Sequence, residues 1–108
     1  MMGDIMPFNK LTESEAERLA MLAEEAGEVI QIICKILRHG YESHHPQDCN
    51  TTNRQLLENE LTDLTAVIER MWMQNDLRHD LLGVVYDTQR YEAWKKKLIY
   101  SHHQEPLP

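Results

Sequence analysis

The sequence predicts an all-α protein: a helical bundle of two long helices plus one or two shorter ones, completed by oligomerisation. Three observations predict it. Apolar residues recur at helical spacing through two long runs. Each run is opened by a capping-box pattern, in which a Thr and a residue three positions later satisfy each other's backbone N–H groups. No stretch alternates with the two-residue period of a strand, and the 108 residues include only four Gly and four Pro.

The elements follow in order. Residues 1–11 form a leader. Thr12 and Glu15 make the first capping box, and Ala16, Leu19, Leu22, Ala26, Val29, Ile30, Ile33 and Leu37 carry a helix to about His39. Gly40 stops it, because glycine accepts the backbone conformation past a helix end without steric cost. The polar stretch from Tyr41 to Asn50, with His44-His45-Pro46, is a loop. Thr52 and Gln55 make the second capping box. A second helix then runs to about Gln74 through Leu56, Leu57, Leu61, Leu64, Val67, Ile68 and Met71. Asn75-Asp76 marks a break. A short helix is expected over Leu77–Leu82, weakened by Gly83, and a last one over about Val84 to Tyr100 on Tyr91, Trp94 and Leu98. Residues 101–108 read as a frayed tail. The whole chain, 1–108, reads as one domain without internal repeats.

Composition narrows the function. The chain has 11 Lys plus Arg against 18 Asp plus Glu, a formal net charge of −7. That balance argues against nucleic acid as a partner, since wrapping it requires cations that displace the counterions of the phosphates. Two cysteines, Cys34 and Cys49, are too few for a disulfide scaffold, and no basic-then-apolar leader is visible, so a cytoplasmic location is expected. The longest apolar stretch, around Val29–Leu37, is interrupted by Gln31 and Lys35 and is too short to span a membrane.

The anomaly is the position of certain acids. At roughly 100° per residue, Glu28 lies about 60° from Glu25, and both fall among Met21, Val29, Ile32 and Ile36, inside the apolar stripe rather than opposite it. Glu24 sits on the margin. The second helix repeats the arrangement: Glu60 and Asp63 fall among Leu56, Leu64, Val67 and Met71. If the stripes face each other, four carboxylates converge. Like charges in a poorly solvated place raise one another's pKa, so the cluster needs a partner. Arg18 and Arg54 are the nearest basic candidates, and salt-bridged acids at the edge of a core are the plainer reading. Hard oxygen ligands without His or Cys otherwise suit Mg²⁺ or Mn²⁺. Gly27, between the acids, leaves room either for a ligand or for another helix.

These residues carry a resemblance. Glu24-Glu25-Ala26-Gly27-Glu28 followed by Glu60-Leu61-Thr62-Asp63 resembles the E-E-x-x-E … E-x-x-D signature of the MazG-like, all-α nucleoside triphosphate pyrophosphohydrolases, over about Leu11 to Met73. The resemblance implies a helical bundle that works as a homodimer or homotetramer. It implies Mg²⁺ held by Glu25, Glu28, Glu60 and Asp63. It also implies cleavage of a nucleoside triphosphate between the α and β phosphates. Glu24 is then placed to bind a second ion or accept a proton from water. Family members bind substrate phosphates and sugar from a late helix, which makes Arg90 and Lys95 the candidates here, with Lys35 and Arg38 behind them. The plainer reading of Lys95–Lys97 is a solvated helix end favoured by the dipole.

Other constellations are weaker. His39, His44, His45 and Cys49 match no zinc spacing, and Glu42 with His45 lies in a Pro-containing loop rather than on a bundle helix. Trp72 and Trp94 could stack on a base, but aromatics at helical spacing are more often core, and Met71 and Met73 read as core or dimer packing. Two function classes stand: a Mg²⁺-dependent nucleotide pyrophosphohydrolase, and a non-catalytic helical interaction or scaffold protein whose acids are salt-bridged.

Overall fold

The computed structural model describes residues 8–78 and 84–105. Among them are three helices and no strand: α1 (Glu13–His39), α2 (Asn53–Met73) and α3 (Val84–Leu98). The fold is all-α, and no described helix is long and apolar enough to cross a membrane.

Both capping boxes form, which is why the helices begin where they do. The Glu15 N–H donates to Thr12 Oγ1 at 3.1 Å while the Thr12 N–H donates to Glu15 Oε1 at 2.8 Å. Thr52 and Gln55 repeat the exchange at 3.2 and 2.8 Å. Gly40 ends α1 at φ 89°, a conformation that side chains rarely adopt, and its N–H donates to the Ile36 carbonyl at 2.7 Å. Asn75, at φ 67°, turns the chain out of α2. The short helix expected from Leu77 is not begun: Leu77 and Arg78 are non-helical, and the rest of that stretch lies outside the described residues. The last helix ends at Leu98, two residues before the expected Tyr100.

α1 and α2 pack side by side as an antiparallel pair, locked at both ends. At one end Arg18 grips Asp76 with two bonds, Nε to Oδ2 at 2.6 Å and Nη2 to Oδ1 at 2.9 Å. The clamp is well shielded, with the two side chains 15 % and 10 % exposed. At the other end Asn53 is buried. Its backbone N–H donates to the Ser43 carbonyl at 2.8 Å and its Nδ2 to the Gly40 carbonyl at 3.1 Å. Arg54 stacks over the Tyr41 ring, 4.2 Å from its centroid, and binds Glu42 at 2.7 Å. These contacts order the 40–52 connection.

The core is thin. Among the described residues Met71 alone is a buried apolar side chain, while Val29, Ile32, Ile36, Leu56, Leu64 and Val67 are half-buried between the helices. Trp72 is half-buried, Trp94 and Met73 are exposed, so of the residues read as core or dimer packing only Met71 is core within one chain. α3 lies almost free of the α1–α2 pair. The radius of gyration is 18.5 Å, against about 13 Å for a compact chain of this length.

A second apolar line runs down α1. Leu19, Ala23, Ala26, Ile30, Ile33 and Leu37 step by four, three, four, three and four, the 3.5-residue repeat of a coiled-coil seam. This seam lies roughly 120° around the helix from Glu25 and the α2-facing stripe. It is open: Ile30 is 60 % and Leu37 80 % exposed. An added Cβ at Gly27 would meet nothing within 4 Å, so among the described residues no other helix approaches there.

Candidate metal centre

Because α1 and α2 are antiparallel and clamped at both ends, their mid-points face each other, and that is where the acids sit. Glu25 from α1 and Glu60 and Asp63 from α2 bring one carboxylate oxygen each within 4.8 Å of one another. Glu28, one turn on from Glu25, lies within hydrogen-bonding reach of both Glu25 and Glu60. Four of the expected acids therefore gather at one place, three of them in the tighter group. Glu24 is exposed on the margin and acts on Glu25 only through its charge.

The electrostatics are unfavourable as they stand. The hydrogen bond with Glu28, then burial, then the charges of Glu28, Asp63 and Glu25 push the Glu60 carboxyl from its ordinary 4.5 up to about 7. Burial first, and then the charges of Glu28, Asp63 and Glu24, raise Glu25 as well. Glu25 Oε2 and Glu60 Oε2 are both buried and both lack a hydrogen-bond partner. An orphaned, buried carboxylate oxygen is costly, and both of these belong to the same acidic group.

Arg18 is committed to Asp76 and Arg54 to Glu42 and the Tyr41 ring. The dominant influences on Glu25 and Glu60 include no cation. Neither Arg18 nor Arg54, the two cations expected to neutralise these acids, therefore pairs with them. The group consists of oxygen donors alone, without imidazole or thiolate, a donor set of the kind that hard cations such as Mg²⁺ or Mn²⁺ take. No other group of three His, Cys, Asp or Glu among the described residues approaches closely enough to hold an ion, which removes the His39, His44, His45 and Cys49 combination.

The remaining candidates divide. Lys35 and Arg38 line a cavity of about 500 Å³ where α1 ends and α2 begins. Arg90 is exposed on α3, and Lys95 pairs with Glu92 at 3.5 Å and lies over the Tyr91 ring. α3 packs only weakly on the α1–α2 pair, and neither residue is among the main influences on Glu25 or Glu60. Sequence reasoning missed Asn53. It is 2 % exposed and walls the same cavity as Lys35, and its Oδ1 accepts no hydrogen bond. The signal was its position seven residues before Glu60, on the same face of α2.

Comparison with known proteins finds no matching family model, no matching curated sequence and no matching solved structure.

Proposed function

We propose that this protein is a Mg²⁺-dependent nucleotide pyrophosphohydrolase that cleaves a ribo- or deoxyribonucleoside triphosphate between the α and β phosphates, giving the monophosphate and pyrophosphate. The observation that carries the reading is the facing carboxylate group, with buried orphan oxygens on Glu25 and Glu60 and with Arg18 and Arg54 paired elsewhere. It is supported by the E-E-x-x-E and E-x-x-D pattern of Glu24–Glu28 and Glu60–Asp63.

Glu25, Glu28, Glu60 and Asp63 are the residues that would hold the ion, with Mn²⁺ as the alternative to Mg²⁺. Bound there, it would neutralise phosphate charge and lower the pKa of a coordinated water. The chain's own part is positional. The antiparallel clamp fixes the two carboxylate pairs opposite each other, so the site is assembled before substrate arrives. Glu24, exposed beside Glu25, is placed to accept a proton released at the edge of the site. An acidic surface repels a bare polyphosphate, so affinity depends on the cation and on the few basic groups near the groove.

The active form is proposed to be a homo-oligomer, a dimer or a tetramer. The support is the open seam Leu19–Ala23–Ala26–Ile30–Ile33–Leu37, the thin core and the nearly free α3. A second copy covers the seam and gives α3, with Arg90 and Lys95, a site to close over.

The test is pyrophosphate release from a panel of ribo- and deoxyribonucleoside triphosphates, with Mg²⁺ or with EDTA. The expected result is release from at least one of them in Mg²⁺ and none in EDTA. Phosphate release instead, or no product from any member, contradicts the assignment. The panel also reads base and sugar preference.

A further inference from the structure

The cavity at the α1–α2 connection is built differently from the rest of the surface. It encloses about 500 Å³, within the range of sites that hold small ligands. Lys35, Arg38, His39, His44 and His45 line it against a single carboxylate, Asp48, a gathering of basic side chains on a chain with net charge −7. Neither Lys35 nor Arg38 pairs with an acid among the described residues. His45 Nδ1 accepts the Gln47 N–H at 3.1 Å, which leaves its Nε2 as the N–H donor when the ring is neutral. Asn53 supplies the opposite polarity. Its Nδ2 is held by the Gly40 carbonyl, which fixes the amide, and its buried Oδ1 is an acceptor without a donor.

The location matters as much as the lining. Lys35 follows Glu28 by seven residues, and Asn53 precedes Glu60 by seven. Seven residues are close to two full turns, so each lies on the same helix face as its acid, about 10 Å along the axis. The two helices run in opposite directions, so both displacements point the same way. One groove between α1 and α2 therefore has carboxylates at its middle and this cavity at its end.

We propose that the cavity is a binding subsite for a phosphorylated sugar or nucleotide: Lys35 and Arg38 hold the phosphate, and the Asn53 Oδ1 accepts from a ligand hydroxyl or amino group beside it. A simple anion satisfies the cations but leaves the Asn53 acceptor orphaned. A nucleoside monophosphate offers both, and its phosphate would sit at the cationic rim with its sugar or base against Asn53. The proposal deepens the reading above by placing the nucleotide, yet the subsite stands or falls without turnover.

The experiment is an NMR titration of the isotope-labelled full-length chain in EDTA, with adenosine monophosphate, inorganic phosphate and sulfate as separate probes. Saturable shifts are expected at Lys35, Arg38, His39, His45 and the Asn53 side-chain amide with the nucleotide, and weaker ones with phosphate. Sulfate should leave the Asn53 amide unmoved. Lys35→Ala with Arg38→Ala removes one half-exposed and one exposed side chain, neither of them paired with an acid among the described residues. The pair should weaken nucleotide binding by roughly tenfold per charge removed, the worth of one charge-assisted hydrogen bond. Asn53→Leu should weaken the nucleotide more than phosphate. Absent or unsaturable shifts overturn the subsite, as do equal affinities for nucleotide and sulfate, or unchanged affinity in the double variant. Binding here by a chain that hydrolyses no triphosphate overturns only the proposed reaction. Hydrolysis by a chain whose cavity stays silent overturns only the subsite.

Discussion

Glu60→Gln is expected to move activity and stability in opposite directions. The neutral amide removes a ligand oxygen charge from the centre of the carboxylate group, and metal-dependent pyrophosphate release should fall by on the order of a hundredfold or more, beyond the usual effect of losing a supporting residue around a metal. The same change should stabilise the metal-free chain at alkaline pH. Glu60 titrates near 7 in the fold against 4.5 ordinarily, so the folded state binds the extra proton more tightly than the unfolded chain. The sign follows by linkage: its favourable contribution is complete below about 4.5 and is lost as the pH rises through 7. Glu25, also raised, adds in the same direction. Metal-free wild-type protein should therefore melt lower at pH 8 than at pH 5.5, and Glu60→Gln should flatten that difference. The glutamine mimics the protonated acid, keeping a donor for Glu28 without adding charge. Mg²⁺ should restore the wild type at pH 8 and leave the variant unchanged. Thermal melts at the two pH values, with and without Mg²⁺, read all of this. A variant that melts lower than wild type at pH 8 in EDTA would contradict the electrostatic account.

The second large effect is expected at the α1 seam. Ile30→Asp with Ile33→Asp places two charges on adjacent steps of the apolar line. In the isolated chain these positions are exposed, so the helix itself should survive, with far-UV circular dichroism unchanged. In an assembled seam each aspartate would be desolvated against apolar neighbours, which is costly without a pairing cation. Light scattering after size exclusion should show the wild type at a multiple of the monomer mass and the double variant at the monomer mass. A wild type that runs as a monomer, or a variant whose mass does not change, contradicts the assignment of this face to a second copy.

Much of this was legible in the residues for local reasons. Thr12 with Glu15 and Thr52 with Gln55 announced both helix starts, because a capping box depends only on neighbours in sequence. Gly40 announced the end of α1 for the same reason. The acids on the apolar stripe were visible because an angle along a helix needs only a residue count. What a count could not tell was where the cations go. Arg18 and Arg54 looked available to the acids, and only the tertiary arrangement commits them to Asp76 and Glu42. Asn53 escaped notice because an asparagine at a helix start is ordinary, and its orphan Oδ1 arises from the loop that folds over it. The apolar residues of α1 were legible as helical but merged into one face. They divide into a stripe that meets α2 and a seam that leaves Ile30 and Leu37 exposed, a division that requires the partner's position.

The most direct measurement is a calorimetric titration of Mg²⁺ into metal-free protein at pH 7, in buffers of different ionisation heat. If Glu25, Glu28, Glu60 and Asp63 form a cation site, the ion must displace the proton that the raised Glu60 carboxyl holds near pH 7. The predicted result is saturable binding whose heat varies with buffer, reporting proton release at pH 7 that fades by pH 9. Both the binding and the release should disappear in Glu60→Gln. Saturable binding that survives the substitution, or no binding to the wild type, would contradict a metal site built from these carboxylates.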